Sequence, residues 1–221
     1  MQHDFILLDR SGSMDTKWAD SLGAINHYVH QLAEQNVDTG VTLAVFDYNI
    51  NSYHFTVVRD RITPQTWQDV TNADAVPRGW TPLNDAIMDI VALANKGHNG
   101  TPYERVALLI ITDGEENKSK EYTRAQATKA LQECRDKDWQ VTFIGVDYDN
   151  DAQAAGYGTP TMDTISVTTD NFALAMADTA VMRASFATSG AKMQYSERQK
   201  NIYNAEKCVD NKCFSLSNSN S

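Results

Sequence analysis

Short apolar runs alternate with stretches of helical period along this chain, and no other feature restricts the fold as much. The runs are Phe5 to Leu8, Val41 to Phe46, Tyr53 to Val58, Val106 to Ile111, Val141 to Val146 and a weaker one at Ile165 to Val167. Runs this short, rich in Val, Ile and Phe and bounded by turn residues, read as strands. Between them, Trp18, Leu22, Ile25, Val29 and Leu32 recur in steps of four and three, which marks one face of a helix. Leu83, Ile87, Ile90 and Ala94 repeat the pattern. A third helix is expected over about Tyr122 to Lys137, with Ala127, Leu131 and Cys134 facing in. A fourth is expected over about Asn171 to Phe186, with Phe172, Ala175, Thr179, Met182 and Phe186 in register.

This order predicts an α/β fold: a three-layer, doubly wound, six-stranded and mainly parallel sheet with helices on both faces. One pair breaks the rule. Residues 47–52 are too few for a parallel crossover, so Val41–Phe46 and Tyr53–Val58 are expected to form an antiparallel hairpin at one edge. Asp60 to Trp80 is polar and Pro-containing and reads as a loop with one helical turn. The domain is expected to cover residues 1–189. Residues 190–221 read as a polar C-terminal extension, helical in part, and disordered from Leu216, where almost no apolar surface offsets chain entropy.

Composition narrows the function. With 42% hydrophobic residues, 221 residues suffice for a core without disulfides or metals. Lys and Arg number 19 against 29 Asp and Glu, a net charge of −10 with no basic run. That argues against nucleic-acid and anionic-membrane partners. No apolar stretch approaches the ~20 residues of a membrane span. The start, Met-Gln-His-Asp, lacks the basic region of a secretory signal and Phe5–Leu8 is too short for its apolar part, so a cytoplasmic location is expected. Cys134, Cys208 and Cys213 are odd in number and sparse, so no disulfide framework is expected, and Cys208 and Cys213 read as plain thiols of the extension.

The most informative residues follow the first strand: Asp9-Arg10-Ser11-Gly12-Ser13-Met14. A carboxylate at a strand's end, followed by hydroxyls at alternate positions, presents three oxygen donors on one tight loop. Oxygen donors suit a hard divalent cation, Mg²⁺ or Mn²⁺. Thr81, before the second helix, offers another hydroxyl, and Asp113, after the Val106–Ile111 strand, another carboxylate. Ligands of a doubly wound sheet gather at the carboxyl ends of its strands where strand order reverses. If the strands of Asp9 and Asp113 are neighbours there, all five groups converge.

The pattern resembles the von Willebrand factor A domain, also called the integrin I-like domain. Asp9-x-Ser11-x-Ser13, Thr81 and Asp113 match its metal-ion-dependent adhesion site position by position. Phe46-Asp47, Thr81-Pro82-Leu83 and Ile111-Thr112-Asp113-Gly114-Glu115-Glu116-Asn117 match as well, and the resemblance covers about residues 2 to 187. Arg78-Gly79-Trp80 departs from the small residues often found before the Thr. The resemblance implies a non-enzymatic, divalent-metal-dependent binding module. Asp9, Ser11, Ser13, Thr81 and Asp113 would hold Mg²⁺, with Mn²⁺ as the alternative, and a protein partner would supply an Asp or Glu carboxylate to the metal. It also implies an adaptor role beside an AAA-type ATPase.

Plainer readings apply to the neighbours. Glu115 and Glu116 read as solvated loop carboxylates and Asp15 as a surface residue, while Arg10 and Met14 are expected to point toward solvent. Thr81 also suits an N-cap, with Pro82 at the first helical position. Trp67, Trp80 and Trp139 read as packing residues, Trp80 being also placed to shield or narrow the site. His27 and His30 read as polar-face residues of the first helix. Two further readings stay open. A metal-dependent hydrolase lacks a visible general base or nucleophile–base pair, an acid two residues after Asp9, and a Gly-x-x-x-x-Gly-Lys loop. A structural component would use the extension as an assembly arm.

Overall fold

The computed structural model describes residues 1–149 and 151–204. Cys208, Cys213 and the segment from Leu216 lie outside the described residues. Six strands form one sheet: β1 (Gln2–Asp9), β2 (Gly40–Asn49), β3 (Ser52–Ile62), β4 (Arg105–Thr112), β5 (Gln140–Val146) and β6 (Thr164–Val167). Their spatial order is β3-β2-β1-β4-β5-β6, and every neighbouring pair is parallel except β2 with β3. The expected α/β architecture is therefore the one observed. Strand order reverses between β1 and β4, whose carboxyl ends carry Asp9 and Asp113.

The strands are buried on both faces because helices cover both. Alternate residues of β1 divide between two cores: Ile6 and Leu8 face one, Phe5 and Leu7 the other. The first core takes α1 (Trp18–Glu34) and α5 (Thr169–Ser189), the second α2 (Leu83–Asn95) and α3 (Arg124–Arg135). Every position of the α1 stripe, Trp18, Leu22, Ile25, Val29 and Leu32, is buried. Each such side chain contributes roughly 1.5–3 kcal/mol on leaving water. A capping box between Thr123 and Gln126 starts α3. A short α4 (Asp151–Gly156) lies between β5 and β6.

Two sequence expectations need correction. The edge strand runs on to Ile62, taking in the first residues of the expected loop. Its register with β2 slips twice between Val41 and Ala44, and Arg61 has φ 52°. Such bulges hide a strand from a period-two pattern. Beyond it, the loop makes a single 3-10 turn at Pro64–Thr66 and is held down by Asn26 of α1. The Asn26 amide oxygen accepts from Trp67 Nε1 (3.1 Å) and the Val70 N–H (2.9 Å). Second, α2 begins at Leu83 with Pro82 as its cap residue, one position later than expected.

The polar segment after Gly190 turns back onto the sheet. Met193 and Tyr195 are buried in the α1/α5 core, and α6 (Glu197–Tyr203) buries Tyr203 there. The Tyr203 carbonyl accepts from the Thr168 N–H at 3.0 Å, at the end of β6. Tyr195 shares a 2.6 Å hydrogen bond with Thr179 of α5.

Candidate functional site

The carboxyl ends of β1 and β4 bring Asp9 and Asp113 to the same place. Directly after Asp9 the chain enters a 3-10 turn, Gly12–Lys17, that leads into α1. The Ser11 N–H donates to Asp9 Oδ1 (2.7 Å), which folds the loop back over the carboxylate. Ser11 Oγ and Ser13 Oγ share a hydrogen bond of 3.0 Å, and Ser13 Oγ donates to Asp113 Oδ1 at 2.7 Å. On the other side, Thr112 Oγ1 donates to Asp9 Oδ2 at 2.8 Å. Asp9, Ser11, Ser13 and Asp113 thus form one continuous hydrogen-bonded chain.

Thr81 arrives on a separate segment zipped onto this loop by its backbone. The Gly12 N–H donates to Gly79 O (3.1 Å) and the Arg78 N–H to Arg10 O (2.7 Å). Gly79 has φ 71°, and a Cβ there would stand 2.2 Å from Tyr48 O, so glycine is required for the approach. Thr81 is buried, and its N–H donates to Asn117 Oδ1 at 3.0 Å. Its hydroxyl is not part of the hydrogen-bonded chain that links the other four.

Arg10 and Met14, expected to face solvent, face inward. Met14 is wholly buried in the α1/α5 core and pegs the loop to it. Arg10 spans to Asp47 at the end of β2, its Nε 2.6 Å from Oδ1, and Arg78 Nε donates to Oδ2 at 3.0 Å. A wholly buried Asp47 therefore ties the two loops together through two guanidinium groups. Glu116 is no solvated carboxylate. It accepts from the backbone of Asn84 (2.8 Å), Lys118 (2.8 Å) and Ser119 (2.7 Å). It thereby satisfies a free N–H of the first turn of α2, where negative charge is favoured. Trp80 packs against little; it is 58% exposed, while Trp67 and Trp139 are buried as expected.

Lys17, Thr112 and Asn117 are contributors that the sequence reading passed over. Lys17 Nζ lies 2.7 Å from Asp113 Oδ2. Its signal was available: Lys17 stands four residues after Ser13, one helical turn on. Thr112 and Asn117 sit inside the matched segment around Asp113, but only the fold turns them toward Asp9 and Thr81.

The site is short of positive charge. Asp9 has no exposed surface and, among the described residues, no cationic side chain against it. Burial pushes its carboxyl up to about 7; the hydrogen bonds from Ser11 and Thr112 act against this, and Asp113 nearby acts with it. The Lys17 ammonium rests on Asp113. Among the described residues no group of three or more His, Cys, Asp or Glu is placed to hold a metal ion. A centre of two carboxylates with hydroxyls is of another kind, and its donor set fits a hard divalent cation.

The profile of the von Willebrand factor type A domain matches residues 5–186. A search of curated proteins gave no match. Among solved structures, proximal thread matrix protein 1 from the mussel byssus superposes with a TM-score of 0.59 at 11% identity, over 83% of this chain and 46% of that one. Manganese-loaded TRAP protein of Plasmodium vivax gives 0.55 at 16% identity, over 80% and 71%. The SpRpn10 VWA domain gives 0.56 at 11% identity, over 80% and 94%. The chain thus spans less than half of the mussel protein, and at these identities the likeness is one of fold.

Proposed function

The chain belongs to the von Willebrand factor type A domain family, and from that premise we propose that it is a divalent-metal-dependent protein-binding module. Residues 1–189 form the binding domain and residues 190–221 an extension whose first part, through Tyr203, packs into the α1/α5 core. Asp9, Ser11, Ser13, Thr81 and Asp113 hold the metal, Mg²⁺ or Mn²⁺. Once bound, that ion supplies an electrophilic position for an Asp or Glu carboxylate of a partner protein.

One observation carries the reading. Two buried carboxylates and two serine hydroxyls from distant parts of the chain meet in one hydrogen-bonded chain at the sheet's switch point. The protein's own residues prepare the site. Asp9 and Thr112 orient the loop, Met14 anchors it, and Asp47 with Arg10 and Arg78 holds the Thr81 segment beside it. The family's general role in protein interaction favours a partner protein. A companion AAA-type ATPase rests on the resemblance alone, and the reading does not depend on the cytoplasmic location expected from the sequence. No helix among the described residues is long and apolar enough to cross a membrane.

The test is an affinity capture from source-cell lysate in Mg²⁺, in EDTA and with Asp9→Ala. A protein held only by the wild type in Mg²⁺ is the expected result and names the partner. Identical capture in all three arms would sink the reading. Hydrolysis of general ester or phosphate substrates by the wild type but not by Asp9→Ala would favour the enzymatic alternative.

A further inference from the structure

The chain carries a net charge of −10, yet the rim on the Thr81 side of the site is cationic and aromatic. Trp80 immediately precedes Thr81, and its backbone pairs both ways with Tyr48, N–H to carbonyl, at 3.0 Å each. This pairing fixes where the exposed indole stands. Lys118 Nζ lies 5.4 Å from the Trp80 ring centre and 5.3 Å from that of Tyr48. Lys120 Nζ lies 5.0 Å from the Tyr48 ring. Two ammonium groups therefore gather on two aromatic faces, one residue from a proposed metal-holding position.

The loop that carries the lysines is pinned. Glu116 accepts from the Lys118 N–H, and Asp85 accepts from the N–H groups of Lys120 (2.9 Å) and Tyr122 (2.8 Å). Three of the nearby carboxylates are thereby engaged, Glu116 and Asp85 by backbone amides and Asp47 by Arg10 and Arg78, while Glu121, beside Lys120, is exposed and forms no ion pair with either lysine. Glu115 lies near Tyr148, whose hydroxyl pKa is raised by burial and then by that carboxylate. Among the described residues no carboxylate forms an ion pair with Lys118 or Lys120; their close neighbours are the aromatic rings. An exposed Trp flanked by unpaired cations has the make-up of an interface anchor. Ammonium groups that form no ion pair beside it complement an acidic surface.

We propose that the rim formed by Trp80, Tyr48, Lys118 and Lys120 selects an acidic protein segment, in which further carboxylates flank the one that meets the metal. This rests on the metal-dependent reading above and adds the chemistry of the partner to it. The rim chooses among carboxylate-bearing segments, and the metal holds the one chosen.

The probes are two fluorescein-labelled synthetic peptides with a central Asp, one flanked by Glu and the other by Gln. Fluorescence anisotropy in Mg²⁺ is expected to show the Glu-flanked peptide binding wild type about tenfold or more tightly than the Gln-flanked one. In Lys118→Glu/Lys120→Glu the preference should reverse, read as the ratio of the two peptides' affinities for that variant. Lys118→Gln/Lys120→Gln should fall between, and circular dichroism should show all variants folded. Equal binding of the two peptides to wild type, no binding of the Glu-flanked one, or a preference that survives charge reversal overturns the rim proposal. The metal reading fails separately. If neither peptide responds to EDTA or to Asp9→Ala while the lysine-dependent preference persists, the rim stands and the metal reading falls.

Discussion

Asp4 and Asp9 lie on the same strand, β1, both without exposed surface, and burial raises the proton affinity of both carboxyls. What meets them differs. Asp4 faces Arg183 of α5, itself wholly buried, whose Nε donates to Asp4 Oδ1. The rest of that guanidinium is held by Gln2 Oε1 (3.0 Å) and Thr39 Oγ1 (3.2 Å). Asp9 meets a backbone N–H and a threonine hydroxyl, both neutral. The amino end of the strand therefore pairs its charge with a cation within the fold, as a structural pair does, although Asp4 Oδ2 has no hydrogen-bond partner among the described residues. The carboxyl end leaves Asp9 hydrogen-bonded but, among the described residues, without a cationic partner.

Breaking the pairs separates the two ends. Arg183→Met strands Asp4 without its cation and is expected to cost about 3–5 kcal/mol in urea unfolding. Asp9→Asn in metal-free buffer is expected to cost less than about 1 kcal/mol, or to stabilise, because it removes an unpaired buried charge. An Asp9→Asn loss as large as that of Arg183→Met would erase the distinction. With Mg²⁺ at a hundred times its dissociation constant, wild type should gain about 2.7 kcal/mol and Asp9→Asn nothing.

Lys17 sharpens the contrast, since its ammonium sits on Asp113 at the open end. Lys17→Met removes a charge that the metal must displace. Isothermal calorimetry should then show Mg²⁺ binding up to about tenfold tighter, equivalent to about 1.4 kcal/mol. Unchanged or weaker binding would mean that the ammonium does not compete.

His3 gives the smallest effect and belongs to the closed end. Buried against Thr42, it is lowered to about 3, first by burial and then by Arg61, Arg183 and His98. The unfolded chain takes up that proton below the ordinary histidine value and the folded chain does not. The stability it confers is therefore present above pH ~6.5 and is lost as pH falls from there toward ~3. Between pH ~7.5 and ~5.5 wild type should lose about 1 kcal/mol from this group, and His3→Gln should flatten that slope in urea midpoints.

The sheet and its helices were legible because their cause is local. Steps of three and four in α1 and short Val- and Ile-rich runs report burial directly, and Asp9, Ser11 and Ser13 lie close enough in sequence to share one loop. Their meeting with Asp113 was legible only through topology, since it needs β1 beside β4. What escaped depends on partners far apart in sequence. Arg10 and Met14 look like exposed loop residues until Asp47 and the α1/α5 core are placed beside them. Glu116 reads as solvated until the first turn of α2 turns its N–H groups toward it. The bulges of β3 broke the alternation that would have marked its far half. After Gly190, a largely polar composition concealed three apolar anchors, Met193, Tyr195 and Tyr203.

The two edges of the sheet bear on how copies of this protein behave when crowded. β3 ends in Arg59, Asp60 and Arg61 with a twisted, bulged register, and β6 on the opposite flank is only four residues long. Neither offers the long, flat, neutral ribbon onto which another chain adds a strand. Fibril-like growth through the sheet is discouraged at both flanks.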